Sequence, residues 1–104
     1  MPLFRSRKPQ AGDLARLRSI LVRLSELCAD SDDSDWSDAS AKEITKTLQE
    51  QIKRIDEGKK VSIKTISYLM IPAGPLQDTS IDNDWAQEFL QLSAEFDGIE
   101  RGAT

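Results

Sequence analysis

Histidine is absent from this 104-residue chain, and cysteine occurs once, as Cys28. One thiol cannot form an internal disulfide, so nothing in the sequence points to an oxidising compartment, and we expect a cytoplasmic protein. A structural zinc site needs several cysteine or histidine ligands. Ser-His-Asp and Cys-His nucleophile pairs need a histidine. The sequence therefore excludes these common catalytic and zinc-binding sets.

Long apolar runs are also absent. No stretch approaches the ~18 consecutive apolar residues of a membrane-spanning helix, and residues 1–10 lack the apolar core of a signal peptide, so we expect no membrane association. Hydrophobic residues make up 38% of the chain and charged residues 31%, against averages of about 45–50% and about 25%. This composition is typical of a thin helical bundle with charged outer faces, and the length fits one domain.

The formal net charge of -4 conceals a gradient along the chain. Bases exceed acids in residues 1–29, and acids exceed bases in residues 30–104. Such asymmetry can create complementary faces within one fold or between two copies, so a homodimer is one interpretation. We predict that residues 1–11 form a flexible basic arm. Its three basic residues are too few to indicate a nucleic-acid partner, and we expect none.

Two amphipathic segments predict a long antiparallel helix hairpin. Asp13 is a good N-cap, and apolar residues recur at helical spacing from Leu14 to Cys28. A second stripe from Ala41 onwards predicts a helix over residues 38–57, which Gly58 ends. The short linker between the two segments favours antiparallel packing.

The linker, residues 30–38, is the most acidic part of the chain. Its Asp-x-Asp-x-Ser start resembles a calcium loop, but Asp35 stands where that loop needs glycine and Ala41 where it needs glutamate. We interpret the linker as a solvated loop that caps the second helix, with Trp36 packed near the helix start. Cation binding remains an alternative.

Residues 61–71 are ambiguous, because their apolar residues fit both a strand and a short helix. A single strand would have no partner elsewhere in the chain, so we predict a helix with Ser62 as its cap. Pro72 disfavours helical geometry at the preceding residue and therefore ends this helix.

The C-terminal part predicts one more helix. We interpret Pro72 to Gln77 as a turn, after which Ser80 or Asp82 caps a helix that Gly98 ends. One stripe of this helix contains apolar residues at helical spacing: Trp85, Phe89, Leu92 and Phe96. The predicted fold is all-α: a small bundle of a long hairpin, a short third helix and a C-terminal helix. The domain covers residues 12–98, and residues 99–104 form a frayed end.

Polar residues cluster around the connection that precedes the predicted C-terminal helix. A simple linker would not need so many polar side chains of particular types. The candidate binding residues are Gln77, Asp78, Asp82, Asn83, Asp84, Trp85 and Glu88. Asp84 and Glu88 are one helical turn apart, so a metal-dependent enzyme that uses both carboxylates is an alternative. Helical metal sites normally draw carboxylates from several facing helices, however. We therefore predict no catalytic residue, metal or cofactor.

Five short sequence blocks in residues 72–97 occur in the same order as in a known family signature. They are Pro72-Ala-Gly-Pro-Leu-Gln-Asp, Ser80-Ile-Asp-Asn, Trp85, Glu88-Phe-Leu and Glu95-Phe-Asp. They resemble the C-terminal signature of a small bacterial family of unknown function, which reads PTGPLQ, SIDNGWG and FLxLxxxFD. The resemblance covers about a quarter of the chain, and the sequence departs from it at Ala73, Asp84 and Ala86. It implies a bacterial origin and no particular activity.

These observations favour a non-enzymatic protein-binding module. Small acidic proteins of this sort are often immunity-type inhibitors, and an adaptor is the related interpretation; both rest on analogy. A protein partner is therefore expected. The alternatives are the metal-dependent enzyme and a self-associating structural protein.

Overall fold

The computed structural model describes residues 11–32, 40–71 and 74–102. These residues form five helices and no strand: α1 (Ala11–Ala29), α2 (Ala41–Asp56), α3 (Ile63–Met70), α4 (Pro75–Asp82) and α5 (Ala86–Gly102). The predicted all-α fold, a small helical bundle, is confirmed. The basic arm, most of the acidic loop and Trp36 lie outside the described residues.

α1 and α2 form the predicted hairpin and make the most extensive helix pair in the fold. Their facing stripes are buried, with Leu17, Leu24 and Leu48 fully inaccessible to solvent. At the end where α1 begins and α2 ends, Arg18 binds Asp56 through two hydrogen bonds, Nε to Oδ1 at 2.6 Å and Nη2 to Oδ2 at 3.1 Å. Apolar burial and this ion pair together fix the hairpin.

Local capping sets the bounds of α2. The Ser40 hydroxyl accepts a hydrogen bond from the Glu43 backbone N–H at 3.1 Å, and the Glu43 carboxylate accepts one from the Ser40 N–H at 3.0 Å. This capping box starts α2 at Ala41 rather than at residue 38. Gly58, with φ of +71°, follows its C-terminal end, as the sequence predicts.

The ambiguous segment is a helix, α3. The Ser62 hydroxyl accepts from the Thr65 N–H at 3.2 Å, which confirms the predicted cap. The Gln51 side chain of α2 accepts from the Ser62 N–H at 2.8 Å and so holds the start of α3 against the hairpin. Ile66, Leu69 and Met70 are buried on one face, which explains why helical packing prevails over the strand-like alternation.

The prediction of a single turn and cap between α3 and the C-terminal helix is wrong. A separate helix, α4, begins at Pro75, where the missing N–H of proline costs nothing in the first turn of a helix. The Ser80 hydroxyl donates to the Gln77 carbonyl at 2.8 Å inside α4, and Asp82 is the last residue of that helix. Neither residue caps α5.

The predicted end of α5 is also wrong, because the helix continues through Gly98 to Gly102. Ile99 is 1% exposed and extends the apolar stripe beyond Phe96. Burial of this side chain outweighs the weak helix propensity of Gly98. The helix thus includes residues 99–102, while the division of the chain into domain and terminal segments stays a prediction.

One continuous core joins the helices. α5 packs on α1 and α4, and its buried Phe89, Phe96 and Ile99 close the cluster. Cys28, at the end of α1, is 1% exposed, and burial raises the pKa of its thiol to about 12. No helix in the described ranges is both long and apolar enough to cross a membrane.

Candidate functional site

The predicted binding residues lie where α4 passes into α5, beside the end of α1. Three of them use their side chains for contacts that hold this junction together: Asn83, Trp85 and Glu88. Gln77 and Asp78 are half-buried on α4, while Asp82 and Asp84 are exposed. The structure thus divides the cluster into a junction part and a surface part.

Asn83 connects α4 to the chain that follows α1. Its Oδ1 accepts from the Asp32 backbone N–H at 2.9 Å, and its Nδ2 donates to the carbonyl oxygens of Asp32 and Thr79, each at 2.9 Å. The Thr79 carbonyl also accepts the Asn83 backbone N–H at 3.1 Å, so Asn83 closes the end of α4 with both its backbone and its side chain. The side-chain amide of Asn83 therefore hydrogen-bonds the backbone of α4 and the backbone that follows α1.

Trp85 is a core residue with one polar contact. It is 8% exposed, and its Nε1–H donates to the Ser31 hydroxyl at 2.8 Å. The Ser31 hydroxyl donates in turn to the Leu27 carbonyl at 2.7 Å, at the end of α1. The indole thus fills the core and satisfies its only donor, as the apolar stripe predicts.

Glu88 is paired with Arg23 of α1. Arg23 Nε lies 2.5 Å from Glu88 Oε2, and Nη2 lies 3.0 Å from Oε1, so the contact is bidentate. The hydrogen bonds from Arg23 lower the pKa of this carboxyl below its ordinary value. This geometry locks α5 to α1 and occupies both oxygens of Glu88.

The carboxylate-pair alternative finds little support in this geometry. Within residues 11–32, 40–71 and 74–102, no three acidic or cysteine side chains lie close enough together to hold a metal ion. Glu88 instead faces a guanidinium group, which competes with any cation for the same oxygens. Asp84 and Glu88 therefore do not form the multi-helix carboxylate cluster that such enzymes use.

Two basic residues of α1 find acidic partners within the same chain. Arg18 and Arg23 of the basic α1 bind Asp56 of α2 and Glu88 of α5. The complementary faces therefore meet inside the fold. Self-association through α1 remains a prediction.

These ion pairs predict a pH dependence of stability. The pKa values of Asp56 and Glu88 are lowered in the folded state, so the pairs contribute fully above the ordinary carboxyl range and lose their contribution as pH falls through the lowered values. We expect the urea midpoint to fall on acidification from neutral pH. Arg23→Gln should reduce this fall; an unchanged pH profile in the variant would contradict the assignment to Glu88.

Backbone strain occurs at one position of the junction. Asp84 has φ of +65°, a left-handed conformation that glycine adopts without steric cost. The resembling family signature has glycine at this position, which is what the geometry favours. We expect Asp84→Gly to raise the free energy of unfolding by about 0.5–1 kcal/mol, measured by urea denaturation. Asp84→Ala, which keeps a Cβ, should give no increase, and equal effects in both variants would refute the strain.

A groove with a largely apolar lining lies between α3 and α5, near this cluster. Its volume is about 280 Å³, and we call it the α3–α5 groove. Its lining comprises Ser67, Met70, Ile71, Gln77, Phe89, Leu90, Ser93, Phe96 and Asp97. Leu90 is 59% exposed and Ile71 is 43% exposed, although both are large and apolar. Of the predicted site residues, only Gln77 lines this groove.

A larger groove of about 570 Å³ lies between the end of α1 and the start of α2. Its lining includes Cys28, Ser31 and Thr45, and we assign no site to it.

No protein-family model matches the chain, and neither the curated proteins nor the solved structures gave a match. The resemblance of residues 72–97 to the small bacterial family therefore stays a prediction. Asn83 and Trp85, which belong to the resembling blocks, hold the junction of α4 and α5 in this fold.

Proposed function

We propose that this chain is a non-enzymatic protein-binding module that docks its partner in the α3–α5 groove. The observation that carries the proposal is the exposure of Leu90 and Ile71 beside an open apolar groove, in a domain that buries its other lining hydrophobics. Exposed apolar surface with polar residues at its border is typical of protein-interaction sites.

The composition of the groove supports a macromolecular partner. Phe89 and Phe96 belong to its lining but are nearly buried, so the apolar surface open to a partner comes mainly from Leu90 and Ile71. Exposed large apolar side chains at one place on a surface are typical of protein interfaces. The groove is small and shallow, and it lacks a convergent set of catalytic groups. A protruding side chain of a partner suits it better than an enclosed metabolite does.

The role that best fits these features is an immunity-type inhibitor or an adaptor in a bacterial cytoplasm. Such a protein needs only a stable scaffold and one recognition surface. The ion-paired helices provide the scaffold, and the α3–α5 groove provides the surface. A bacterial origin and a cytoplasmic location belong to the proposal.

The test compares two variants that each remove a large exposed side chain. Leu90→Ser alters the groove, whereas Tyr68→Ser removes a side chain that is 56% exposed and does not line it. Immobilised wild-type protein should capture a protein from a lysate of the source organism that Tyr68→Ser retains and Leu90→Ser loses. Capture that is equal for all three, or absent, would contradict the proposal, and circular dichroism checks that both variants are folded.

A further inference from the structure

We infer that the α3–α5 groove selects a protein segment in which large apolar side chains are flanked by lysine or arginine. This inference rests on the proposed function and names the chemistry of the partner. Two features of the groove support it: an apolar base that is continuous with the core, and an acidic border.

The apolar base is formed by core residues. Phe89 and Phe96 are 2% and 1% exposed, so packing in the core sets their positions. The exposed apolar lining comes from Leu90 on α5 and from Ile71 just after α3. A preformed apolar recess of this kind favours insertion of a large apolar side chain, because little ordering is needed on binding.

One acid, Asp97, lines the groove. Two more lie next to lining residues without lining the groove themselves: Glu100, one turn beyond Asp97 on α5, and Asp78, which follows Gln77 on α4. We call these three residues the acidic border. Across the described part of the chain, no ion pair joins any of these three carboxylates to a basic side chain. They therefore differ from Asp56 and Glu88, which are bound by arginines.

The wider surroundings have the same sign of charge. Residues 61–100 contain seven acids and a single base, Lys64, which lies one turn before the lining residue Ser67 on α3. An acidic border attracts basic segments and repels acidic ones, which sets the choice of partner more than the total affinity. The apolar base supplies the anchor, and the border supplies the selectivity.

The experiment is a selection from a phage-displayed random peptide library against the full chain, with Leu90→Lys protein as the counter-selection. We expect the recovered peptides to combine Leu, Ile, Phe, Trp or Met with Lys or Arg. For a recovered peptide, Asp97→Lys should weaken binding about tenfold, which corresponds to about 1.4 kcal/mol. Glu50→Lys on α2 makes the same charge change away from the groove and should leave binding unchanged.

The outcomes separate the two proposals. Groove-dependent peptides without basic residues, or equal effects of Asp97→Lys and Glu50→Lys, would overturn the inference and leave the proposed function standing. Recovery of no peptide that depends on Leu90 would overturn both. A dimer in sedimentation that Leu90→Lys converts to a monomer would show that a second copy fills the groove, and would overturn the inference as well.

Discussion

Replacing Trp85 by alanine is expected to lower the free energy of unfolding by about 3–5 kcal/mol. The side chain is 8% exposed, and it packs between the end of α1 and the start of α5. Its loss removes a large apolar surface from the core and leaves a cavity that helices tied by Asn83 and Arg23 cannot easily close. The free energy comes from urea denaturation followed by circular dichroism.

Two further variants separate packing from the polar contact. Trp85→Phe keeps most of the volume but loses the Nε1–H bond to Ser31, so we expect a loss of about 1–2 kcal/mol. Leu90→Ala removes a side chain that is 59% exposed and should change stability little. A small effect of Trp85→Ala would instead indicate that the indole is not part of the core.

A methyl group at Gly74 is expected to cost about 1–3 kcal/mol, by overpacking. A Cβ at this position would lie 2.8 Å from both the carbonyl oxygen and Cγ1 of Ile71. The Ile71 carbonyl already accepts a hydrogen bond from the Gly74 N–H at 2.9 Å, so it cannot move away without breaking the tight connection between α3 and α4. The same denaturation measurement applies to Gly74→Ala.

Gly98→Ala is the matched control, because it adds the same methyl group to a glycine with nothing within 4 Å of the new Cβ. Gly98 is exposed in the interior of α5, where alanine is the better helix former, so we expect a gain of up to about 1 kcal/mol. Opposite signs for the two substitutions support the steric explanation. A loss at Gly98 as large as that at Gly74 would exclude it.

The helices that the sequence predicts well are those with a long apolar stripe. Both α1 and α2 follow from their periodicity, which is a local signal. The predicted N-cap Asp13 is wrong, because α1 begins at Ala11 and Asp13 lies in its first turn. α4 has only eight residues and no sustained stripe, and Pro75 fits a turn in the sequence as well as it fits a helix start. The continuation of α5 past Gly98 depends on burial of Ile99, which is a tertiary effect.

The candidate site was predictable only in part. The sequence shows that residues 77–88 are rich in polar side chains, but it does not show whether they form a binding surface or a structural junction. Arg23 and Glu88 are 65 residues apart, so their pairing has no local signal. The exposure of Leu90 depends on how α3 and α4 pack on α5, although its position beside the Trp85–Phe96 stripe could have suggested it.

The rate at which the buried thiol of Cys28 is alkylated can measure conformational opening in the wild-type chain. With a pKa of about 12 and 1% exposure, the thiol has almost no reactive thiolate at neutral pH and little contact with solvent. Alkylation must therefore wait until the end of α1 separates from the core. The labelling rate reports how often that separation occurs, and it does so without the introduction of a single mutation.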